Sequence, residues 1–77
     1  MEITYDPKYN IAYIRLRKKC KGVQTIHLSD EVNIDLSPDG KLYGIELLDA
    51  SRQIIKSKKL FLRDASTGKS VEFPLTI

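Results

Sequence analysis

The sequence predicts a mainly β domain, with an α+β domain as the alternative: an antiparallel meander of about five strands, one short helix and a C-terminal β-hairpin. Three observations predict it. Apolar and polar residues alternate with period two through Ile11 to Arg17 and again through Val32 to Leu36, the pattern of half-buried strands. Short turn-forming clusters, Asp6 to Asn10 and Ser37 to Gly40, punctuate the runs, and short links favour antiparallel neighbours. From Asp49 onward the apolar spacing changes to that of a helix.

Glu2 to Tyr5 reads as the first strand. In the turn after it, Pro7 supplies the φ of a second turn residue between the turn formers Asp6 and Asn10. In the second strand Ala12, Ile14 and Leu16 share one face, and Ile11, Tyr13, Arg15 and Arg17 share the other. Lys18 to Gly22 form a basic loop. Gln24, Ile26 and Leu28 then alternate, with His27 on the opposite face. Ser29-Asp30 breaks this strand, Val32 to Leu36 forms the next, and Lys41 to Leu48 the fifth. Leu47, Ala50, Ser51, Ile54 and Ile55 stand at helical spacing, with Asp49 or Ser51 able to cap the N-terminus. A helix of about two turns is marginal alone and has to pack on the sheet. Leu60 to Arg63 and Val71 to Leu75 read as two further strands around the loop Asp64 to Ser70, and Pro74 puts the last at an edge.

A chain of 77 residues makes a single domain, residues 1–77, near the lower limit for a self-sufficient core. Folding at this size buries only about 60–65% of the surface the unfolded chain exposes. Cys20 is the only cysteine, so no internal disulfide forms, and Cys20 with His27 is not a zinc ligand set. Self-association is then the remaining source of stability. The N-terminus MEITYDP has no basic region followed by an apolar core, and no apolar run approaches the roughly 20 residues of a membrane span. A lone thiol without an export signal suits a reducing cytoplasm. The net charge of +3 permits acidic partners without requiring them.

Four stretches raise the question of chemistry. DLSPDGKLYGIE, Asp35 to Glu46, lays oxygen donors and a glycine at the places of a calcium loop: Asp35, Ser37, Asp39, Gly40 and Glu46. Such a loop needs a helix before it, whereas Val32, Ile34 and Leu36 stand two apart, so Asp35 belongs to a strand. In a hairpin Glu46 is carried roughly 20 Å from the tip, across from Asp35 or Asn33, and the stretch is a turn. STGKS, Ser66 to Ser70, ends like a phosphate-binding loop but has Arg63 where the motif needs glycine, and no helix start follows. Gly68 instead suits a hairpin turn at positive φ. Lys19 and Lys21 favour the thiolate of Cys20, yet catalysis also needs a base and an oxyanion donor, and a single layer of sheet offers no deep cleft. We therefore expect no enzyme, and no catalytic, cofactor-binding or metal-binding residues.

RLRKKCK, Arg15 to Lys21, carries five basic residues in seven. Tyr13 shares a strand face with Arg15 and Arg17, so Tyr13, Arg15, Arg17, Lys18, Lys19 and Lys21 form a candidate patch for nucleic acid or an acidic partner. The bland reading is a solvated strand end, and the acidic residues from Asp30 to Asp49 work against a uniformly positive surface. Apolar residues fall on both sheet faces. Ile11, Tyr13 and Val23 lie opposite the main stripe, and Phe61 and Phe73 also need cover, which points to a protein interface.

ITYDPKYNIAYIRL (Ile3 to Leu16) and DEVNIDLSPDGKLYGIELLDAS (Asp30 to Ser51) together resemble the small prokaryotic family called domain of unknown function 2283. The shared pattern is a strand ending in Tyr-Asp-Pro, a strand ending in Tyr-Ile-Arg-Leu, an Asp-Gly turn, and a Gly-Ile-Glu-(apolar)-Leu-Asp-Ala-Ser ending. The resemblance implies no activity, cofactor or catalytic residue, and suggests at most an antitoxin-like role. The chain departs from it in the basic loop Lys18 to Lys21 and in the hairpin from Lys59 to Ile77. The leading expectation is a non-enzymatic interaction module binding a second copy of itself or another protein, with nucleic acid as the alternative partner.

Overall fold

The most apolar strand takes the centre of the sheet. In the computed structural model, which describes residues 1–53 and 59–74, β5 (Leu42–Leu48) lies between β2 (Ile11–Arg15) and β4 (Val32–Leu36). The outer positions fall to β1 (Glu2–Asp6) and β3 (Gln24–Ser29). The order is β1-β2-β5-β4-β3, with antiparallel neighbours throughout. β3, QTIHLS, is the most polar of the five and is exposed along its whole length, as suits an edge.

The mainly β class with one short helix and a C-terminal hairpin is what the alternation predicts. The strand order differs from the chain order at one step. β3, β4 and β5 follow one another as a meander, but β2 pairs with β5 and not with β3, giving a Greek-key arrangement read in the reverse chain sense. The physical reason is burial: LYGIELL has apolar residues for both faces, so two strands flank it, and the polar QTIHLS is displaced outward. Residues 16–23 make the crossing, and their start is fastened where the Leu16 N–H donates to the Tyr43 carbonyl at 2.8 Å.

Register turns the alternation into two faces of different chemistry. On one face Ile3, Ile14, Ile45, Ile34 and Ile26 stand directly opposite one another, a row of isoleucines crossing all five strands. Beside it run Tyr5, Ala12, Leu47 and Val32. Ala12 and Leu47 are buried with Ala50, and Tyr5, Ile14, Val32 and Ile45 pack around them. The opposite face carries the row Thr4, Tyr13, Glu46, Asn33, His27 and the row Glu2, Arg15, Gly44, Asp35, Thr25.

The helix α1 (Ala50–Gln53) is described for four residues; Ile54 and Ile55, which the helical spacing includes, lie outside the described residues, as do Lys58, Leu75 and Ile77. Its N-terminus is capped from across the fold. Asn10, at the end of the β1–β2 turn with φ 55°, accepts from the Ser51 N–H (3.0 Å) and the Tyr5 hydroxyl (2.9 Å) through Oδ1. Its Nδ2 donates to Asp49 Oδ1 (3.0 Å) and to Ser51 Oγ (2.9 Å), and its carbonyl accepts from the Ala50 N–H (2.9 Å). Asp49 and Ser51, read as caps, are thus partners of Asn10, which serves the orphan amides in their place.

The hairpin pairs β6 (Lys59–Arg63) with β7 (Ser70–Pro74). Gly68 has φ 73° and donates to the Asp64 carbonyl at 2.8 Å, while Ser66 donates from both its amide and its hydroxyl to Asp64 Oδ1. STGKS therefore spells a loop closure at positive φ. Leu60, Leu62, Val71 and Phe73 share one hairpin face, and Leu60 and Phe73 border the same small hollow as Met1 and Ile3, at the β1 end of the isoleucine row.

Among the described residues no large side chain is fully buried. The chain exposes 5990 Å², against about 4,800 Å² for a compact monomer of its mass. Its radius of gyration, 13.9 Å, likewise exceeds the roughly 11.5 Å of a compact chain of this length. No helix among the described residues is long and apolar enough to cross a membrane.

Candidate functional site

The alternation in β2 carries Tyr13 and Arg15 to the polar face, but the neighbouring strands then engage them. Residue 44 sits between Arg15 and Asp35, and because it is glycine the Tyr13 side chain lies diagonally across β5. Its hydroxyl donates to Asp35 Oδ2 at 2.6 Å, and the Thr25 hydroxyl donates to Asp35 Oδ1 at 2.6 Å. Burial first, then the bond to Asp35, pushes the Tyr13 phenol well above its ordinary pKa, so it stays protonated and donating. In the next row Asn33 Nδ2 donates to Glu46 Oε1 at 2.8 Å, and His27 Nδ1 lies 2.8 Å from Asn33 Oδ1. Since that oxygen can only accept, Nδ1 carries the proton.

The polar face is therefore knit together, its donors paired with acceptors on neighbouring strands. Tyr13, read from the sequence as a stacking ring beside two guanidiniums and as apolar surface on the second face, has its hydroxyl bonded to Asp35 and its ring held over Gly44. Arg15 lies 3.4 Å from Glu2. The apolar surface left open is on the other face and on the hairpin: Ile26, Leu28, Phe61, Leu62, Val71 and Phe73 are all exposed.

The rest of the basic patch collects at one end of the sheet. The Arg17 Nη1 donates to both oxygens of Asp39 at 2.9 Å, tying the crossing segment to the β4–β5 turn. A methyl group placed on Gly22 would touch Pro38 Cγ at 3.4 Å, so the far end of the loop also lies on that turn. Between them is an open groove of about 660 Å³ lined by Arg17, Lys18, Lys19, Cys20, Ser37 and Asp39. Lys21 is exposed beyond it. The structure thus brings Arg17, Lys18 and Lys19 together; Arg15 borders a second hollow with Arg17 and Lys18, and Tyr13 is held away over Gly44.

The oxygens of the calcium-like stretch go to different partners. Asp35 serves Tyr13 and Thr25, Asp39 serves Arg17 and the Lys41 amide, and Glu46 stands opposite Asn33. Strand, turn and strand replace the helix, loop and helix that such a site needs. The Arg17 guanidinium, and after it the Lys41 amide, holds the Asp39 carboxyl below the ordinary aspartate range. Because the folded pKa is lowered, the stability from this contact is complete above the ordinary aspartate pKa and is lost as pH falls through the lowered value. Carbon-detected titration of the Asp39 carboxyl is expected to show the lowered midpoint, and Arg17→Ala to return it towards the ordinary range. An unchanged midpoint in the variant would remove Arg17 as the cause.

Two residues take places that their sequence signals did not define. Gly44 had a signal, since a glycine inside an apolar strand marks a bulge or a close approach. Ser37 read as a turn former and as an oxygen donor of the calcium-like stretch; it is 7% exposed, and among the described residues its hydroxyl finds no hydrogen-bond partner.

Comparison with family models places residues 2–51 in the family described as protein of unknown function (DUF2283). No curated protein and no solved structure matches the chain.

Proposed function

We propose, from the premise that the chain belongs to the DUF2283 family, that the protein is a non-enzymatic interaction module that pairs face to face with a second copy of itself. The observation that carries this is the isoleucine row. Its five members cross the whole sheet, and none is buried. At its β3 end Ile26 is 38% exposed; at its β1 end the row runs on into the apolar hairpin face.

The surface is self-complementary. A two-fold axis through the middle of the row would lay the Leu62, Val71 and Phe73 side chains of one protomer over the Ile26 end of the other. The area is of the right size. The chain exposes about 1,200 Å² more than a compact monomer would, and a stable interface takes about 800 Å² from each partner. The opposite face supports the same reading from the other side, because its hydrogen bonds are already closed within the chain.

Sedimentation at micromolar concentration is expected to give a dimer, and Ile26→Lys a folded monomer. Lysine at a position already open in the protomer leaves the fold intact but places a charge in the interface. A wild-type protein that stays monomeric to millimolar concentration would refute the proposal.

A further inference from the structure

We infer that one end of the five-stranded sheet is a docking surface for the phosphate backbone of a nucleic-acid duplex, and that the face-to-face dimer presents two copies of it side by side. The doubling rests on the dimer reading. The first ground is the segregation of charge along the strands. Residues 1–53 carry eight cationic side chains and eight carboxylates, so they are neutral as a whole. The register sorts them. Glu2, Arg15, Gly44, Asp35 and Thr25 stand in one row at the same end of the sheet as the connections 16–23 and 37–41. Six of the eight cations lie there, Arg15, Arg17, Lys18, Lys19, Lys21 and Lys41, against the carboxylates of Glu2, Asp35 and Asp39. The opposite end holds Asp6, Asp30, Glu31 and Asp49 with only Lys8 and Arg52.

The second ground is what is left unpaired. Arg17 binds both oxygens of Asp39, and Arg15 lies 3.4 Å from Glu2. Lys18, Lys19, Lys21 and Lys41 are exposed and have no ion-pair partner among the described residues. They come from two connections that Arg17 with Asp39, and Gly22 against Pro38, fasten to each other. A protein partner needs an apolar core, and of the large apolar side chains exposed on the sheet only Met1 and Leu16 stand at this end. A single strand needs rings on which to stack its bases, but Tyr13 is held over Gly44 and Tyr43 is buried. A duplex backbone needs cations alone. The dimer axis completes the surface. It reverses the isoleucine row while bringing the two faces together, so it runs along the strands and leaves both basic ends on the same side. Eight unpaired lysines then project from two sheets about 10 Å apart.

The test is fluorescence anisotropy of a labelled duplex of mixed sequence, about two helical turns long, with sedimentation of the same protein run first. Binding is expected to weaken about a thousandfold between about 50 and 200 mM salt, as for some eight phosphate contacts. Lys18→Ala with Lys19→Ala, and separately Lys21→Ala with Lys41→Ala, should each roughly halve the slope of log affinity against log salt. Lys8→Ala, at the other end, should leave affinity and slope unchanged. Ile26→Lys, as a monomer with one basic end, should also bind with about half the slope. No binding at low salt by a protein that sediments as a dimer would overturn the docking surface and leave the dimer standing. A wild type that sediments as a monomer would remove the dimer, and the doubled surface with it. Displacement of the duplex by polyglutamate at equal charge concentration would overturn the assignment in favour of an acidic protein. Tighter binding of oligothymidylate than of duplex would overturn it in favour of a single strand.

Discussion

Gly44→Ala is expected to lower the unfolding free energy by about 2–4 kcal/mol, a large part of the roughly 4–11 kcal/mol of a domain this size. Alanine ordinarily improves on glycine inside a strand by about 0.5–1 kcal/mol. Here the added methyl runs into the Tyr13 ring, whose Cε1 would stand 2.8 Å from it. Tyr13 must then leave β5, and Asp35 loses a 2.6 Å hydrogen bond that holds the central strands together. Urea unfolding of four proteins separates these effects: wild type, Gly44→Ala, Tyr13→Ala and the double variant. In the Tyr13→Ala background the sign should reverse, with Gly44→Ala gaining about 0.5–1 kcal/mol. A neutral Gly44→Ala in the wild-type background would show that the ring does not lie over the glycine.

The second large effect belongs to Asn10→Ala, expected to cost about 3 kcal/mol. Four side-chain hydrogen bonds vanish, to Tyr5, Asp49 and both polar groups of Ser51, and an alanine must hold φ near 55°. Asn10→Gly keeps the backbone conformation while removing the same bonds, and should cost about 2 kcal/mol. The difference between the two measures the strain alone. Amide exchange at Ser51 should accelerate in both variants, because its N–H donates to the Asn10 side-chain oxygen, whereas the Ala50 N–H donates to the Asn10 backbone carbonyl that both variants keep. Equal stability of Asn10→Ala and wild type would mean that the β1–β2 turn and α1 are held by packing alone.

These two residues explain what the family-like stretches are made of. Tyr5, Asn10, Asp49 and Ser51 form one hydrogen-bonded cluster from segments some forty residues apart. Gly44 makes room for Tyr13, and Glu46 receives Asn33. Within residues 2–51, the span of the family match, these side chains are engaged in holding the sheet and its helix together.

The strands were legible because period two needs only neighbouring residues, and Val32 to Leu36 shows it without interruption. The hairpin tips were legible from Pro38-Asp39-Gly40 and from Gly68, whose chemistry is local. Strand order was not, because the choice between β3 and β5 as partner of β2 depends on which strand can be apolar on both faces. The single row of five isoleucines was hidden for the same reason: it exists only in the register. Tyr13, Arg15 and Arg17 share a face in the sequence, yet Gly44 and Asp35, contributed by two other strands, draw Tyr13 away from the arginines. The orphan hydroxyl of Ser37 needs a count of partners that no spacing supplies.

The most direct test of the isoleucine face as a self-pairing surface is an isotope-filtered NMR experiment on a mixture of methyl-labelled and unlabelled protein. Cross-peaks are expected from the Ile26 and Ile34 methyl groups to the Phe73 ring of the other protomer, and to be absent in Ile26→Lys. Methyl groups that contact only their own chain, in a sample concentrated to the millimolar range, would contradict the account.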